Sequence, residues 1–401
     1  MKKNVHGGNV YKFAIQKGIS PEAVLDFSAN INPLGLSHAG AEAVTHALDG
    51  LIHYPDPNNI ELSEITAQCL GVQPENLLFG NGAAELLFAI ARLPGFTDAL
   101  VPAPGFSEYA EAAHAAGLTI SSYTLAKRFV TNDASTEDTL TRVSHKKVAA
   151  DTAGFVVDYE GLATRLRQDY SQTRCLIFMG NPNNPDGSLI NPTAIKNLLA
   201  AIEAGQHLLV ADESFMEFTD EMTTLRYQAI RNAHIVVLHS LTKFYAIPGL
   251  RLGASIGTPS LLQAIKQSVP AWSVNRLAQV YGTAALQDDS YRRQSKDNTP
   301  VERDWLCYRL AHVGPIQIVQ PSVNFILCYW QPTVPTVHDL FDFLATKNIL
   351  VRDCAAYETL GPGWFRVAVK SRANNEILLT AIKEFCHEHN LLGTSRSDAM
   401  E

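Results

Sequence analysis

The feature that most constrains the fold is a series of short apolar runs between residues 76 and 260, separated by stretches of helical period. The runs at 76–80, 99–102, 175–180, 207–212, 235–240 and 252–256 are too short for core helices and do not alternate with polar residues. Continuous apolar runs of this length are strands buried on both faces. Helical patterns, for example at 83–93 and 193–203, lie between them. The rhythm predicts an α/β fold with a mostly parallel sheet covered by helices. In such sheets ligands bind outside the carboxyl ends of the strands, and the polar residues of interest in this chain cluster there.

Beyond about residue 275 the pattern changes. A long helical stretch leads to strands near 323–329, 350–352 and 365–369, then to a helix at 374–387. This predicts a smaller α+β domain at 276–392 beside a large domain at 41–275, with residues 1–40 packing on the small one and a flexible tail at 393–401. The polar, weakly periodic segment 127–153 exceeds the usual length of an unstructured connection and is expected to be an insertion or flap. A chain of 401 residues with 46% hydrophobic content can bury both cores. A net charge of −8 gives no general attraction for nucleic acid or anionic membrane. No apolar run reaches the length of a membrane span, and MKKNVHGGNVYKF has no apolar stretch of a secretory leader. Cys69, Cys175, Cys307, Cys328, Cys354 and Cys386 are scattered without a C-x-x-C pair, as in a cytoplasmic protein with free thiols. The cluster Cys386-His387-Glu388-His389 has no second ligand pair, so no metal site is expected.

The chemistry is concentrated in Ser240-Leu-Thr-Lys243-Phe-Tyr-Ala-Ile-Pro-Gly249-Leu-Arg251-Leu-Gly253. A lysine just after a buried strand sits where its amine is partly desolvated, and a neutral amine is the nucleophile that makes an imine with an aldehyde. Ser240 and Thr242 supply hydroxyl donors, and Arg251 supplies a fixed cation for a phosphate. The bland reading is a lysine and an arginine on a solvated helix start; the glycines framing Arg251 argue against it.

This S-x-[ST]-K…GLRxG segment resembles the lysine motif of the fold-type I enzymes that use pyridoxal 5'-phosphate (PLP), the aminotransferase superfamily. The resemblance implies that Lys243 carries PLP. It also implies that Asp212, in Ala211-Asp-Glu-Ser-Phe215, pairs with the pyridinium nitrogen and keeps the ring an electron acceptor. Asn184, in Asn181-Pro-Asn-Asn-Pro-Asp-Gly187, takes the family's place at the ring 3'-oxygen. Ala83 and Ala84, in Gly80-Asn-Gly-Ala-Ala-Glu85, open a helix whose first N–H groups face the cofactor phosphate. Phe106, in Pro104-Gly-Phe-Ser-Glu-Tyr109, occupies the place of the ring that stacks on the pyridine. Taken singly, each of these motifs is as well explained by a helix cap, a turn or plain core. It is their order along the chain that carries the assignment.

The chain is further similar to the threonine-phosphate decarboxylases of cobamide biosynthesis. The matching segments are His6-Gly-Gly-Asn9, Asp26-Phe-Ser-Ala-Asn-Ile-Asn-Pro-Leu-Gly35, His53-Tyr-Pro-Asp-Pro57, Ala271-Trp-Ser-Val-Asn275 and Ile349-Leu-Val-Arg-Asp-Cys354. The similarity spans nearly everything but the 127–153 segment and the tail. It implies that Arg366 binds the substrate α-carboxylate and Arg352 its phosphate, with His6, Gly8 and Asn32 closing the site. It also implies a homodimer in which Tyr54 reaches the neighbouring cofactor phosphate. The expected reaction takes L-threonine O-3-phosphate to (R)-1-aminopropan-2-yl phosphate. O-phosphoserine decarboxylation is the nearest alternative, because one methyl contact discriminates by only ~1–3 kcal/mol. Histidinol-phosphate aminotransferase is the competing enzyme class. Against it stand Phe215, where that class usually has a tyrosine three residues after the aspartate, and the His-Gly-Gly element. A PLP-domain transcription regulator is the non-enzyme alternative, and it would need a basic DNA-binding segment ahead of the domain.

Overall fold

The computed structural model describes residues 7–129 and 153–391. Its central sheet has seven strands: β1 (Leu77–Asn81), β2 (Asp98–Ala103), β3 (Thr119–Thr124), β4 (Cys175–Gly180), β5 (Leu208–Asp212), β6 (Ile235–Ser240) and β7 (Leu252–Ile256). Their spatial order is β1-β7-β6-β5-β4-β2-β3. Strands β6, β5, β4, β2 and β3 pair in parallel. Strand β7 runs antiparallel to both of its neighbours. The six apolar runs are therefore strands of one mostly parallel α/β sheet.

Burial on both faces explains why these strands carry no polar alternation. Leu176 and Phe178 of β4 pack with Leu86 and Ile90 of the helix Ala83–Ala91, whereas Cys175, Ile177 and Met179 pack with Leu162 and Leu198 on the other face. The strand with no apolar run, β3, lies at the sheet edge and leaves Thr119, Ile120 and Thr124 exposed. An edge strand needs no second apolar face.

The reversal of β7 positions the site. It brings the amino end of β7, and Arg251 with it, to the edge where β5 and β6 end. Gly253 pairs with Ser240 on one side and Gly80 on the other. A Cβ on Gly253 would lie 2.4 Å from the Ala83 nitrogen, so the helix start rests directly on the β7 backbone.

A second, antiparallel sheet has the order Ile316–Ile318, Phe325–Trp330, Trp364–Ala368, Arg352–Asp353. Its core joins Phe27, Leu306, Ile326, Val367, Leu378 and Phe385. The amino-terminal segment is bound to this sheet's side of the molecule: Leu25–Asp26 pairs in parallel with Ile349–Leu350, and Phe27 is fully buried. The predicted long helical stretch is two helices, Arg276–Leu286 and Asp289–Val313. The base of the 127–153 segment is an antiparallel ladder between Ala126–Phe129 and Ala153–Val156. Residues 130–152 and the tail from 392 lie outside the described residues, as does His6.

Gly253→Ala is expected to lower stability by ~1–3 kcal/mol, the usual cost of overpacking. It is also expected to weaken PLP retention, because the added methyl must push the Ala83 backbone away. Thermal unfolding and equilibrium dialysis of PLP measure the two effects.

Candidate active site

A cavity of about 390 Å³ opens at the carboxyl edge of the large sheet and extends to the small sheet. Lys243 lies in the short helix Leu241–Phe244 directly after β6 and borders this cavity. Burial pushes its amine down to about 8, helped by the cations of Arg366 and Arg251 and opposed by Asp212. Asp212 ends β5 with both oxygens engaged. Its Oδ2 accepts from the Tyr109 hydroxyl at 2.8 Å, and its Oδ1 accepts from the Ser214 amide at 3.0 Å and from the Ser214 hydroxyl.

At one end of the cavity, Arg251 and Ala84 meet. Gly82 precedes the Ala83–Ala91 helix with φ +82° and no side-chain cap, leaving the first-turn N–H groups available. A Cβ on Gly82 would lie 2.6 Å from the Arg251 Nη2, so only glycine lets the guanidinium approach this helix start. Backbone donors at a helix start beside a fixed guanidinium form an anion cradle.

The other end is built from the small sheet. Arg352 and Arg366 stand directly opposite each other on paired antiparallel strands, and both border the cavity. Arg366 is buried, donates to Asn184 Oδ1 and to the Ser28 carbonyl (3.3 Å), and keeps its Nε without a partner. The Arg352 guanidinium lies 5.7 Å from the Tyr357 ring centre, and the Tyr357 hydroxyl lies 3.4 Å from Asn184 Oδ1.

The cavity thus brings together Lys243, Asp212, Asn184, Arg251, Ala84, Phe106, Arg352 and Arg366. Ser240 and Thr242 are buried and hydrogen-bond each other at 2.7 Å rather than bordering it. Ala83 supports the cradle from behind, against Gly253. Asn32 corrects the sequence expectation. Its amide donates to the Phe244 carbonyl (2.7 Å) and to Ser295 (2.8 Å), which fixes the lysine loop and leaves nothing for a substrate. Of the asparagines in the amino-terminal segment, the one that borders the cavity is Asn30, buried with its Oδ1 unpartnered. Gly7 borders the cavity, whereas the Gly8 amide is spent on Ser28 Oγ at 2.7 Å. Tyr54 is 81% exposed and packs on Trp272, away from this cavity.

Tyr109, Asn30 and Gly7 sit inside the sequence motifs, three residues from Phe106, two from Asn32 and one from Gly8. Only contacts could select among them. Tyr357 carries no sequence signal of its own.

A softened lysine, an aspartate whose two oxygens both accept hydrogen bonds, an anion cradle and a flat aromatic wall define a fold-type I PLP site, and the donor set fits that cofactor. The chain belongs to the aminotransferase class I and II family, whose model matches residues 22–382, and it is a PLP-dependent enzyme. It is 31% identical to the threonine-phosphate decarboxylase of Salmonella typhimurium, over 95% of this chain and 96% of that one. Among solved structures, histidinol-phosphate aminotransferase from Clostridium acetobutylicum matches with TM-score 0.78 and 26% identity, covering 91% of this chain and 99% of that one. The Sinorhizobium meliloti histidinol-phosphate aminotransferase, solved with pyridoxal-5'-phosphate, shares the fold at TM-score 0.78 and 20% identity, covering 96% of each chain.

Because the Lys243 ammonium loses its proton near pH 8, roughly a tenth of these amines are neutral at pH 7, against far fewer for an ordinary lysine. Covalent capture of PLP by the apoprotein is therefore expected to quicken with rising pH and level off above about 8. Arg366→Ala should move that midpoint upward, since it removes a cation that lowers it. Absorbance of the captured cofactor follows both, and Lys243→Ala should abolish capture.

Proposed function

We propose that this chain decarboxylates L-threonine O-3-phosphate to (R)-1-aminopropan-2-yl phosphate, the reaction that supplies the cobamide nucleotide loop. The observation that carries the reading is the pair Arg352 and Arg366, opposite each other on one sheet rung and both facing the cavity. Like charges directly opposite repel. A substrate with two anionic groups relieves that repulsion, and L-threonine O-3-phosphate carries both a carboxylate and a phosphate. The full-length similarity to a threonine-phosphate decarboxylase supports the same reading.

In this proposal Arg366 grips the α-carboxylate and Arg352 the phosphate, each through charge-assisted hydrogen bonds. Asn30 and Gly7 close the site where Asn32 and Gly8 were expected. Bound PLP supplies a sink for the electron pair released when a bond to Cα breaks. Asp212 would hold the ring end, and Asn184, which accepts from Arg366, would also reach the ring, so that the carboxylate grip and the ring would share one anchor. After CO2 departs, Lys243, which borders the cavity, or a nearby water would return a proton to Cα. Phe215 borders the cavity and packs edge-on to Phe325 at 5.0 Å. It offers no hydroxyl to the ring, unlike the tyrosine usual in histidinol-phosphate aminotransferases.

The same proposal places a second copy of the chain over Tyr54 and Trp272, whose exposed rings lie 4.9 Å apart; Leu51, Ile52 and Ile60, near Tyr54 in sequence, are also exposed. A patch of this kind is the mark of an interaction surface. On its scattered free thiols we place the enzyme in the cytoplasm; among the described residues no helix is long and apolar enough to cross a membrane.

The test offers the holoenzyme O-phosphothreonine, O-phosphoserine, or histidinol phosphate with 2-oxoglutarate. CO2 release from O-phosphothreonine without any keto acid is expected. Faster release from O-phosphoserine would reassign the substrate, and glutamate formation with histidinol phosphate would sink the decarboxylase reading. Arg352→Ala should lower kcat/KM for O-phosphothreonine by about 100-fold or more, the loss of charged hydrogen bonds. Steady-state kinetics of the variant measure it.

A further inference from the structure

Tyr109 is an unassigned residue with two contacts that both lead to the cofactor. Its hydroxyl donates to Asp212 Oδ2 at 2.8 Å. Its ring lies stacked on Phe178, with ring centres 5.5 Å apart, and presents an edge to Phe106 at 5.6 Å and 88°. It is 2% exposed and is the second residue of the helix Glu108–Ala115, one turn after Phe106. The aspartate and the aromatic wall are thus tied together by one side chain.

We propose that Tyr109 is a positioning residue that keeps the proton of the PLP ring nitrogen on the ring, by donating to the aspartate that faces it. The physical argument concerns where one proton sits. Between a pyridine nitrogen and a carboxyl group it rests either on the ring, leaving a carboxylate, or on the acid, leaving a neutral ring. Donors to the carboxylate stabilise its charged form and favour the first arrangement. Asp212 has such donors on both oxygens, Ser214 on Oδ1 and Tyr109 on Oδ2. Burial, with Asp212 adding to it, raises the Tyr109 hydroxyl well above its ordinary range, so it remains a donor throughout the working pH range. The inference concerns the ring nitrogen alone and holds for decarboxylation and aminotransfer alike.

The test uses holoenzyme reconstituted with PLP labelled with 15N in the ring, and compares wild type, Tyr109→Phe and Phe106→Leu. Tyr109→Phe keeps the ring packed on Phe178 and removes only the donor. Its ring-nitrogen resonance is expected to move toward the unprotonated position, with kcat lowered by about 10- to 100-fold, as for loss of a hydrogen bond to a charged group. KM should change little, because substrate binding is untouched. Phe106→Leu removes the stacking ring but leaves the donor. It should weaken PLP affinity in dialysis without moving the ring-nitrogen resonance. An unmoved resonance in Tyr109→Phe overturns the proposal, whether or not activity falls. Equal movement in Phe106→Leu also overturns it, because packing rather than the hydroxyl would then hold the proton.

Discussion

The site depends on the contact between the β7 backbone at Gly253 and the start of the helix after β1. Gly253 lies between Ser240 and Gly80 in the sheet, with the Ala83 nitrogen where a side chain would stand. Three cofactor elements are indexed to that point: the lysine turn after β6, the helix start after β1 and Arg251 before β7. Since β7 runs against its neighbours, its first residues reach the edge where the parallel strands end. A parallel β7 would leave Arg251 at the far side of the sheet. Proximity here is thus set by strand direction and by one missing Cβ, which are rigid features, rather than by loop conformation.

Charge is the second organising term. Lys243, Arg251, Arg352 and Arg366 all border one cavity, with Asp212 set among them. The cost of this crowding falls on the group best able to give up its charge. The lysine amine is driven toward neutrality by burial and by two of the arginines, whereas guanidinium groups stay charged. The repulsion that readies the nucleophile is the same field that draws anions in. In the proposed complex, phosphate and carboxylate groups entering the cavity would relieve the arginines.

Much of this was legible in the sequence, and the exceptions have physical causes. Strands buried on both faces announce themselves as unbroken apolar runs, so β4, β6 and β7 match to the residue. The edge strand β3 is half exposed and gives no such run. The direction of β7 is not encoded in its hydrophobicity, because periodicity is blind to polarity of the chain. Short motifs located the site to within a turn, yet the choice between Asn30 and Asn32 turns on which amide is already spent. Asn32 is consumed by Phe244 and Ser295, and no pattern of residue types reveals that. Tyr109 was hidden for the same reason: a helical residue next to a stacking ring looks like core until its hydroxyl is found on Asp212.

Reaction choice lies farther from the lysine than cofactor choice does. Lysine, aspartate and anion cradle serve any bond broken at Cα, so they cannot select among them. Selection requires the substrate to be held at angles fixed from outside, and in the proposed reaction the small sheet does this holding. Arg352 and Arg366 are placed by a single strand pairing, and Asn184 accepts from Arg366. The Ser28 carbonyl, which also meets Arg366, belongs to the segment whose Ser28 hydroxyl receives the Gly8 amide. The amino-terminal segment and the carboxylate grip therefore share one residue. In the proposed binding mode, a shift of that segment against the small sheet would turn the Arg366 guanidinium that the Ser28 carbonyl and Asn184 hold. Under the proposed reaction, the orientation that separates loss of CO2 from loss of a proton would then be set by Ser28, Asn184 and the arginine rung together.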